Sequence, residues 1–226
     1  MASTDSEMMK GDPTGYLPAA GRDWALPLYD PLTKLLGADV SRKVLLDHAA
    51  IRSNHRVLDI GCGTGSLLTL IKQLHSDVAV LGLDPDPKAL ALARRKAERA
   101  TVSIRFDQGF SNRLPYAEAS FDRVFSSFMF HHLHAELREK TLCEVRRVLA
   151  PGGRFHMLDF ERPESQAGGW FAGLLHAKHR LRDNAEGRLL TLMRQAGFVY
   201  AKKVIERPML FGLLRIGYYQ ASTPAV

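Results

Sequence analysis

The sequence predicts an α/β protein: a doubly wound, mostly parallel sheet of seven strands with helices on both faces and an antiparallel closing strand. Three observations carry this. The stretch Arg56 to Ser66, Arg-Val-Leu-Asp-Ile-Gly-Cys-Gly-Thr-Gly-Ser, joins a short apolar run to a glycine loop and then to a helical pattern. Apolar runs and helix-period segments alternate from there to Phe160, as strand-helix-strand units do. Two strand-like runs then end the chain with no helix between them, which calls for an antiparallel hairpin.

Taken in order, Met1 to Gly21 is polar and punctuated by Gly and Pro, so residues 1–21 read as a flexible N-terminus before one domain over 22–226. Asp23 can cap a helix running to about Leu36, with Gly37 as its stop and Trp24, Leu28, Leu32 and Leu35 on one face. A second helix covers roughly Val40 to Ala50. Val57, Leu58 and Ile60 form the first buried strand, Gly61, Gly63 and Gly65 turn the backbone, and Leu67, Leu70, Ile71 and Leu74 give the next helix a face for the sheet. The run Val78 to Leu83 is the second strand and ends at Asp84. In Pro85-Asp86-Pro87, Asp86 stands at a cap position and Pro87 at the first helical position, ahead of Leu90, Ala93 and Ala97 on the packed face. Val102 to Phe106 and Phe121 to Ser127 are the third and fourth strands. Leu137, Thr141, Val145 and Val148 stripe a helix that Pro151-Gly152-Gly153 ends, and Arg154 to Phe160 is the fifth strand. The segment at about 164–185 is longer than an ordinary connection and reads as a helical lid over the crevice. Leu189, Leu192, Met193 and Ala196 mark a last helix stopped by Gly197, and Phe198 to Glu206 and Met209 to Ala221 pair through Arg207-Pro208.

With 226 residues and 46% hydrophobic content, the chain suits one domain with a sizeable core. The N-terminus lacks a signal-peptide apolar core and no run is long enough to span a membrane, which predicts a cytoplasmic protein. Cys62 and Cys143 are too few and too separate for a disulfide framework or a metal cluster, and His176 with His179 lacks a further ligand, so no metal is expected. The net charge of +7 invites a nucleic-acid reading. However, Arg94, Arg95, Lys96 and Arg99 mix with Glu98, and Arg138, Lys140, Arg146 and Arg147 mix with Glu139 and Glu144, as on solvated helix faces. The cluster Lys178, His179, Arg180 and Arg182 beside the apolar Trp170 to Leu175 leaves peripheral membrane contact open.

The glycine spacing selects the ligand. A dinucleotide fingerprint, G-x-G-x-x-G, needs glycine where Ser66 stands; the loop instead runs G-x-G-x-G, which disfavours a nicotinamide cofactor. Asp84, about 20 residues on, ends the second strand, where a carboxylate can accept ribose hydroxyls. Asp59 to Gly65, Gly82-Leu-Asp84, Phe121-Asp-Arg-Val124 and Arg147-Val-Leu-Ala-Pro-Gly-Gly153 together resemble the ordered motifs of the class I S-adenosylmethionine-dependent methyltransferases, in the branch similar to ubiquinone/menaquinone-biosynthesis enzymes. The resemblance implies a Rossmann-like fold and S-adenosyl-L-methionine as cofactor, leaving as S-adenosyl-L-homocysteine. It also implies methyl transfer to a small-molecule acceptor by in-line displacement. Cofactor contacts are then expected from Asp59, Gly61, Cys62, Gly63, Gly65, Asp84, Pro85 and Ser126, the last through its backbone. Tyr29, in a Leu28-Tyr-Asp-Pro31 box similar to the family's, either closes over the cofactor or packs between helices.

Where the family commonly has an adenine-binding aspartate this chain has Phe110, so ring packing by Phe110 and backbone contact at Ser111 replace it, with Asp107 as a displaced candidate. His131 and His132, past the fourth strand, are the best proton acceptors near the transferring methyl, and each could instead cap a helix or bond a loop. Asp159 stands where it can orient a substrate or a histidine, or cap a helix. Ser126-Ser-Phe-Met129 is not the Asn/Asp-Pro-Pro-Tyr of base amino-group enzymes, which disfavours nucleic acid as acceptor. A phospholipid or quinone methyltransferase at a membrane surface, and a non-catalytic cofactor-binding partner subunit, stay open. Oligomeric state is unread.

Overall fold

The computed structural model describes residues 38–161, 186–209 and 214–225. In chain order the elements are α1 (Ala38–Ala49), β1 (Arg56–Ile60), α2 (Ser66–Leu74), β2 (Ala79–Asp84), α3 (Pro87–Arg99), β3 (Arg105–Gln108), β4 (Phe121–Ser127), a 3₁₀ turn (Phe130–His132), α4 (Ala135–Val148), β5 (Leu149–Glu161), α5 (Glu186–Gln195), β6 (Val199–Met209) and β7 (Leu214–Ser222). The strands form one sheet in the order β3-β2-β1-β4-β5-β7-β6. Pairing is parallel from β3 to β5, and β7 runs antiparallel to both β5 and β6. This is the expected seven-stranded Rossmann-like sheet, with its order reversing beside β1, where a doubly wound sheet opens a ligand crevice.

Period-two alternation sends neighbouring strand residues to opposite layers. Val57 and Phe125 join Leu45, Leu68, Ile71, Leu90 and Ala93 on the side of α1, α2 and α3. Leu58, Ile60 and Val124 join Leu142, Val145, Leu189 and Met193 on the side of α4 and α5. The α1 end is fastened to the sheet by a buried cation: Arg123 on β4 donates from Nε to the Ala49 carbonyl at 2.7 Å and from Nη2 to that of Ala50 at 3.0 Å. A guanidinium there meets the negative end of the helix. Burial, with Arg154 nearby, lowers its pKa to about 10, so it stays charged at neutral pH.

Several sequence expectations hold. Asp86 caps α3 by accepting from the Lys88 amide, and Pro87 takes the first turn. Leu189 and Met193 are buried on α5, and Gly197 ends that helix region at φ 87°.

Others need correction. The third strand lies at Arg105–Gln108 rather than Val102–Phe106, because Thr101 at φ 54° and the Val102 amide, bonded to the Ala97 carbonyl, still belong to the end of α3. Leu74 is 59% exposed; Leu68 and Thr69 supply the packed face of α2 with Leu67 and Ile71. The fifth strand begins at Leu149, so Pro151-Gly152-Gly153 lies within a bulged strand. Arg207-Pro208 is inside β6 opposite Ile216 and Arg215, not at the hairpin turn. Proline fits because β6 is an edge strand with one side unpaired. Arg138 and Arg147 do not sit on a solvated face. Arg138 is 1% exposed, and Arg147 holds the Leu114 and Tyr116 carbonyls while pairing with Glu144. The helix predicted over 23–36, Tyr29, the lid at 164–185 and the basic cluster at 178–182 lie outside the described residues.

One buried histidine makes the fold acid-sensitive. His156 on β5 is fully buried, stacks on Phe125 at 5.1 Å and shares a 2.8 Å hydrogen bond between Nδ1 and the Tyr218 hydroxyl. Burial, with Arg123 and Arg154 nearby, pushes its pKa well below the usual 6.5. Above that usual value both folded and unfolded chains carry neutral imidazole. Below it only the unfolded chain takes the proton, so stability falls as pH falls. Urea titrations of the wild type and His156→Phe from pH 7.5 to pH 5 should show the wild type losing up to about 1.4 kcal/mol per pH unit more than the variant below the usual histidine value. Parallel pH curves for the two proteins would contradict this.

Candidate active site

The site is built where β1 and β2 end. Gly61, Gly63 and Gly65 adopt φ of 66°, 53° and 73°, a region that favours glycine. The Gly61 and Cys62 amides both donate to the Leu83 carbonyl, at 2.7 and 3.0 Å, which ties the loop to the end of β2. A Cβ on Gly61 would stand 2.2 Å from Cγ of Met129, so the turn after β4 rests directly on the first loop glycine. Around Gly63 there is open space, where a ligand can approach bare backbone. Gly65 starts α2 and packs against Ala93 and Phe106. Cys62 is buried, and burial with Asp59 and Asp84 nearby pushes its thiol well up, so it is an inert spacer in the loop. Lys96, which the sequence placed on a solvated face, donates to the Thr64 and Ser66 hydroxyls at 3.0 and 2.7 Å and steadies the loop from α3.

Asp84 holds this half together. Its Oδ2 accepts from the Gly63 amide at 2.8 Å and its Oδ1 from the Asp86 amide at 2.9 Å. A carboxylate can accept about four hydrogen bonds, so capacity for two ribose hydroxyls remains. Burial raises its pKa while the two amides lower it. Next to it, the Pro85 carbonyl accepts from Gln108 Nε2, which closes the β2–β3 corner. Asp59 is 1% exposed, and its Oδ1 receives no hydrogen bond among the described residues. Phe110 is 39% exposed beyond β3. The Ser111 hydroxyl is engaged by Thr141 at 3.0 Å, which leaves its backbone for a ligand. Asp107 is taken by Arg105 and the Tyr116 hydroxyl.

The other half is the end of β4 and β5. Ser126 and Ser127 both keep a buried hydroxyl without a hydrogen-bond partner among the described residues. Beyond them the 3₁₀ turn carries His131 onto Asp159: its amide donates to Oδ2 at 2.7 Å and its Nδ1 meets Oδ1 at 2.6 Å. Asp159 is fully buried, and among the described residues its carboxylate serves His131 and the Phe160 amide. With Nδ1–H donated to the carboxylate, the lone pair of His131 is on Nε2. His131 keeps 12% side-chain exposure. His132 lies beside it, ring centroids 4.0 Å apart, and Phe160 meets His131 edge-on at 5.0 Å. Sequence reasoning missed Arg138, whose Nε donates to the Leu133 carbonyl at 3.0 Å and whose guanidinium lies 5.9 Å from the Phe130 ring centroid. Arginine on a charged helix gives no periodicity signal that separates an inward from an outward side chain.

Among the described residues no group of His, Cys, Asp and Glu could hold a metal ion, and no helix is long and apolar enough to cross a membrane. The open cradle at Gly63, the carboxylate of Asp84 and the unsatisfied atoms of Asp59 and Ser126 suit a ligand with ribose hydroxyls and an ammonium group.

Comparison with known proteins agrees with this geometry. A family model described as a methyltransferase domain matches residues 57–153. The chain is 40% identical over 142 residues to a demethylmenaquinone methyltransferase of Deinococcus radiodurans, a match covering 62% of this chain and 58% of that protein. It is 32% identical over 192 residues to an uncharacterized methyltransferase of Synechocystis, covering 80% of this chain and 84% of that one. The crystal structure of the YcgJ protein of Bacillus subtilis superposes with a TM-score of 0.67 at 21% identity, covering 83% of this chain and all of that one.

Because Asp84 holds the loop and its assignment to the ribose hydroxyls asks two more hydrogen bonds of it, Asp84→Ala should weaken S-adenosylhomocysteine binding at least about 100-fold, the loss of two or more charge-assisted hydrogen bonds. Calorimetric titration reads this directly, and an unchanged affinity would remove Asp84 from the site.

Proposed function

The chain belongs to the class I S-adenosylmethionine-dependent methyltransferase family, and on that footing we propose that it transfers a methyl group to a small-molecule acceptor, with His131 as the base. The observation that carries the base assignment is the pair of bonds from His131 to Asp159. The backbone bond fixes where the ring starts and the ring bond fixes its rotation and tautomer, so Nε2 is the basic atom. Bound in the glycine-loop cradle, S-adenosylmethionine supplies an activated methyl group and leaves as S-adenosylhomocysteine.

The residues of this chain do the rest. Gly61, Cys62, Gly63 and Gly65 offer backbone to the amino-acid end, with Asp59 and the Ser126 backbone beside its ammonium group. Asp84 and Pro85 frame the ribose, and Phe110 with the Ser111 backbone meets the base. Nε2 of His131 takes the proton from an acceptor that enters protonated, and Asp159 stabilises the imidazolium that results. His132 lines the same side. Holding the acceptor in line supplies a large part of the rate, of the order of 7 to 11 kcal/mol.

An acceptor with an ionisable hydroxyl or an acidic ring carbon needs such a base. The name of the Deinococcus relative, a demethylmenaquinone methyltransferase, supports a quinol-type aromatic as the first class to test. The reading places the reaction in the cytoplasm, with the acceptor met in solution or at a membrane surface.

The purified protein with S-adenosylmethionine and a panel of demethylated quinols and phenols, assayed for S-adenosylhomocysteine formation, tests the function. His131→Ala should lower kcat about 10² to 10⁴-fold, and Asp159→Asn should follow it in part, both with little change in cofactor affinity. Wild-type turnover by His131→Ala would overturn the base assignment, and no turnover with any acceptor would favour a cofactor-binding partner subunit.

A further inference from the structure

The carboxyl of Asp59 is out of place in a protein without ligand. It is 1% exposed, at the end of β1 between Gly82 and Phe125 on the neighbouring strands, two residues before the first loop glycine. Its Oδ1 receives no hydrogen bond among the described residues. Burial without a hydrogen-bond partner disfavours an ionised carboxylate far more than a neutral carboxyl. Three charged or titratable groups bear on it. Arg42 of α1 favours the ionised form, and Asp84 at the end of β2 opposes it. Cys62 in the loop is held as a neutral thiol. Burial outweighs Arg42 and pushes the carboxyl well above its usual range.

We propose that Asp59 is protonated in the ligand-free protein and exchanges its proton for the ammonium group of the bound cofactor, so that cofactor binding releases a proton to solvent. This rests on the cofactor reading above and specifies the chemistry of one contact in that site. The step is balanced. The O–H bond of the Asp59 carboxyl breaks, its electron pair stays on the carboxylate, the proton goes to bulk water, and the ligand's ammonium takes its place as the counter-charge. The ligand arrives with its ammonium already protonated, so no other group need change its proton count. The exchange also gives selectivity: a ligand carrying adenine and ribose but no amino-acid end cannot replace the proton, and leaves Asp59 neutral.

Titration calorimetry in buffers of different ionisation enthalpy counts the protons directly. Between pH 5 and pH 8, S-adenosylhomocysteine binding to the wild type should release up to about one proton, with affinity rising up to about tenfold per pH unit over the range where release is largest. Methylthioadenosine, which lacks the ammonium and carboxylate, should bind with no release attributable to this site. Asp59→Asn should bind S-adenosylhomocysteine with release abolished. Binding to the wild type with no net proton release across this range, or equal release by Asp59→Asn, would overturn the proposal while leaving the cofactor reading intact. Failure of S-adenosylhomocysteine and methylthioadenosine alike to bind would overturn both. The comparison of the two ligands on the wild type keeps the test decisive if Asp59→Asn does not fold.

Discussion

The carboxylate of Asp84 is the constraint on which the glycine-loop half of the candidate site depends. It closes a ring through two strands and two connections: β2 ends on it, the loop after β1 donates to one oxygen and the amide of Asp86, the residue that caps α3, donates to the other. Three glycines in the left-handed region would otherwise leave the loop loose, since glycine loses more conformational freedom on folding than any other residue. The Leu83 carbonyl supplies the same restraint one residue earlier, accepting from Gly61 and Cys62. The loop is therefore shaped by the end of the neighbouring strand, and the parallel register of β1 with β2 is what brings them level.

The histidine half is held by a second buried carboxylate. Asp159 fixes His131 by backbone and ring, the Leu158 carbonyl accepts the Phe128 amide, and Arg138 reaches the Leu133 carbonyl from α4. Met129, between these anchors, lies on Gly61. A shift of the histidine turn would move Met129 against the glycine loop, so the two halves keep a common geometry. Three buried arginine and aspartate side chains thus serve connections, at Arg123, Arg138 and Asp159, where an apolar residue would satisfy none of the exposed carbonyls and amides.

The parts legible in the sequence are those whose signal is local. The glycine loop, the Asp86-Pro87 helix start and the buried apolar run of Val57, Leu58 and Ile60 each follow from local sequence over a few residues, and the structure carries all three. Parts that depend on distant chain were not legible. Arg138, Arg147 and Lys96 have the composition of a solvated face, and only the partners they meet, the carbonyls of Leu133, Leu114 and Tyr116 and the hydroxyls of Thr64 and Ser66, bring them inward. Leu74 has the right spacing for burial, yet the helix ends there and the side chain is exposed. Proline reads as a turn until the edge position of β6 is known. Asp159 could be given its histidine from the two strand ends, but choosing that partner over a helix cap required the fold.

The acids of this site differ in how they are satisfied, and the difference maps onto two kinds of ligand group. Asp84 and Asp159 each accept hydrogen bonds from two or more protein donors and so are set in place before any ligand arrives. Such acids position: one presents spare lone pairs to neutral hydroxyls, the other orients an imidazole. Asp59 has its Oδ1 bare and pays for burial by favouring the neutral form. An acid of that kind is suited to a cation, because only a full positive charge brought into the same low-dielectric space restores the ionised form. On the proposed assignment a ligand carrying both hydroxyls and an ammonium group would meet one acid of each kind along the ends of adjacent strands β2 and β1, and a neutral nucleoside would meet only the first.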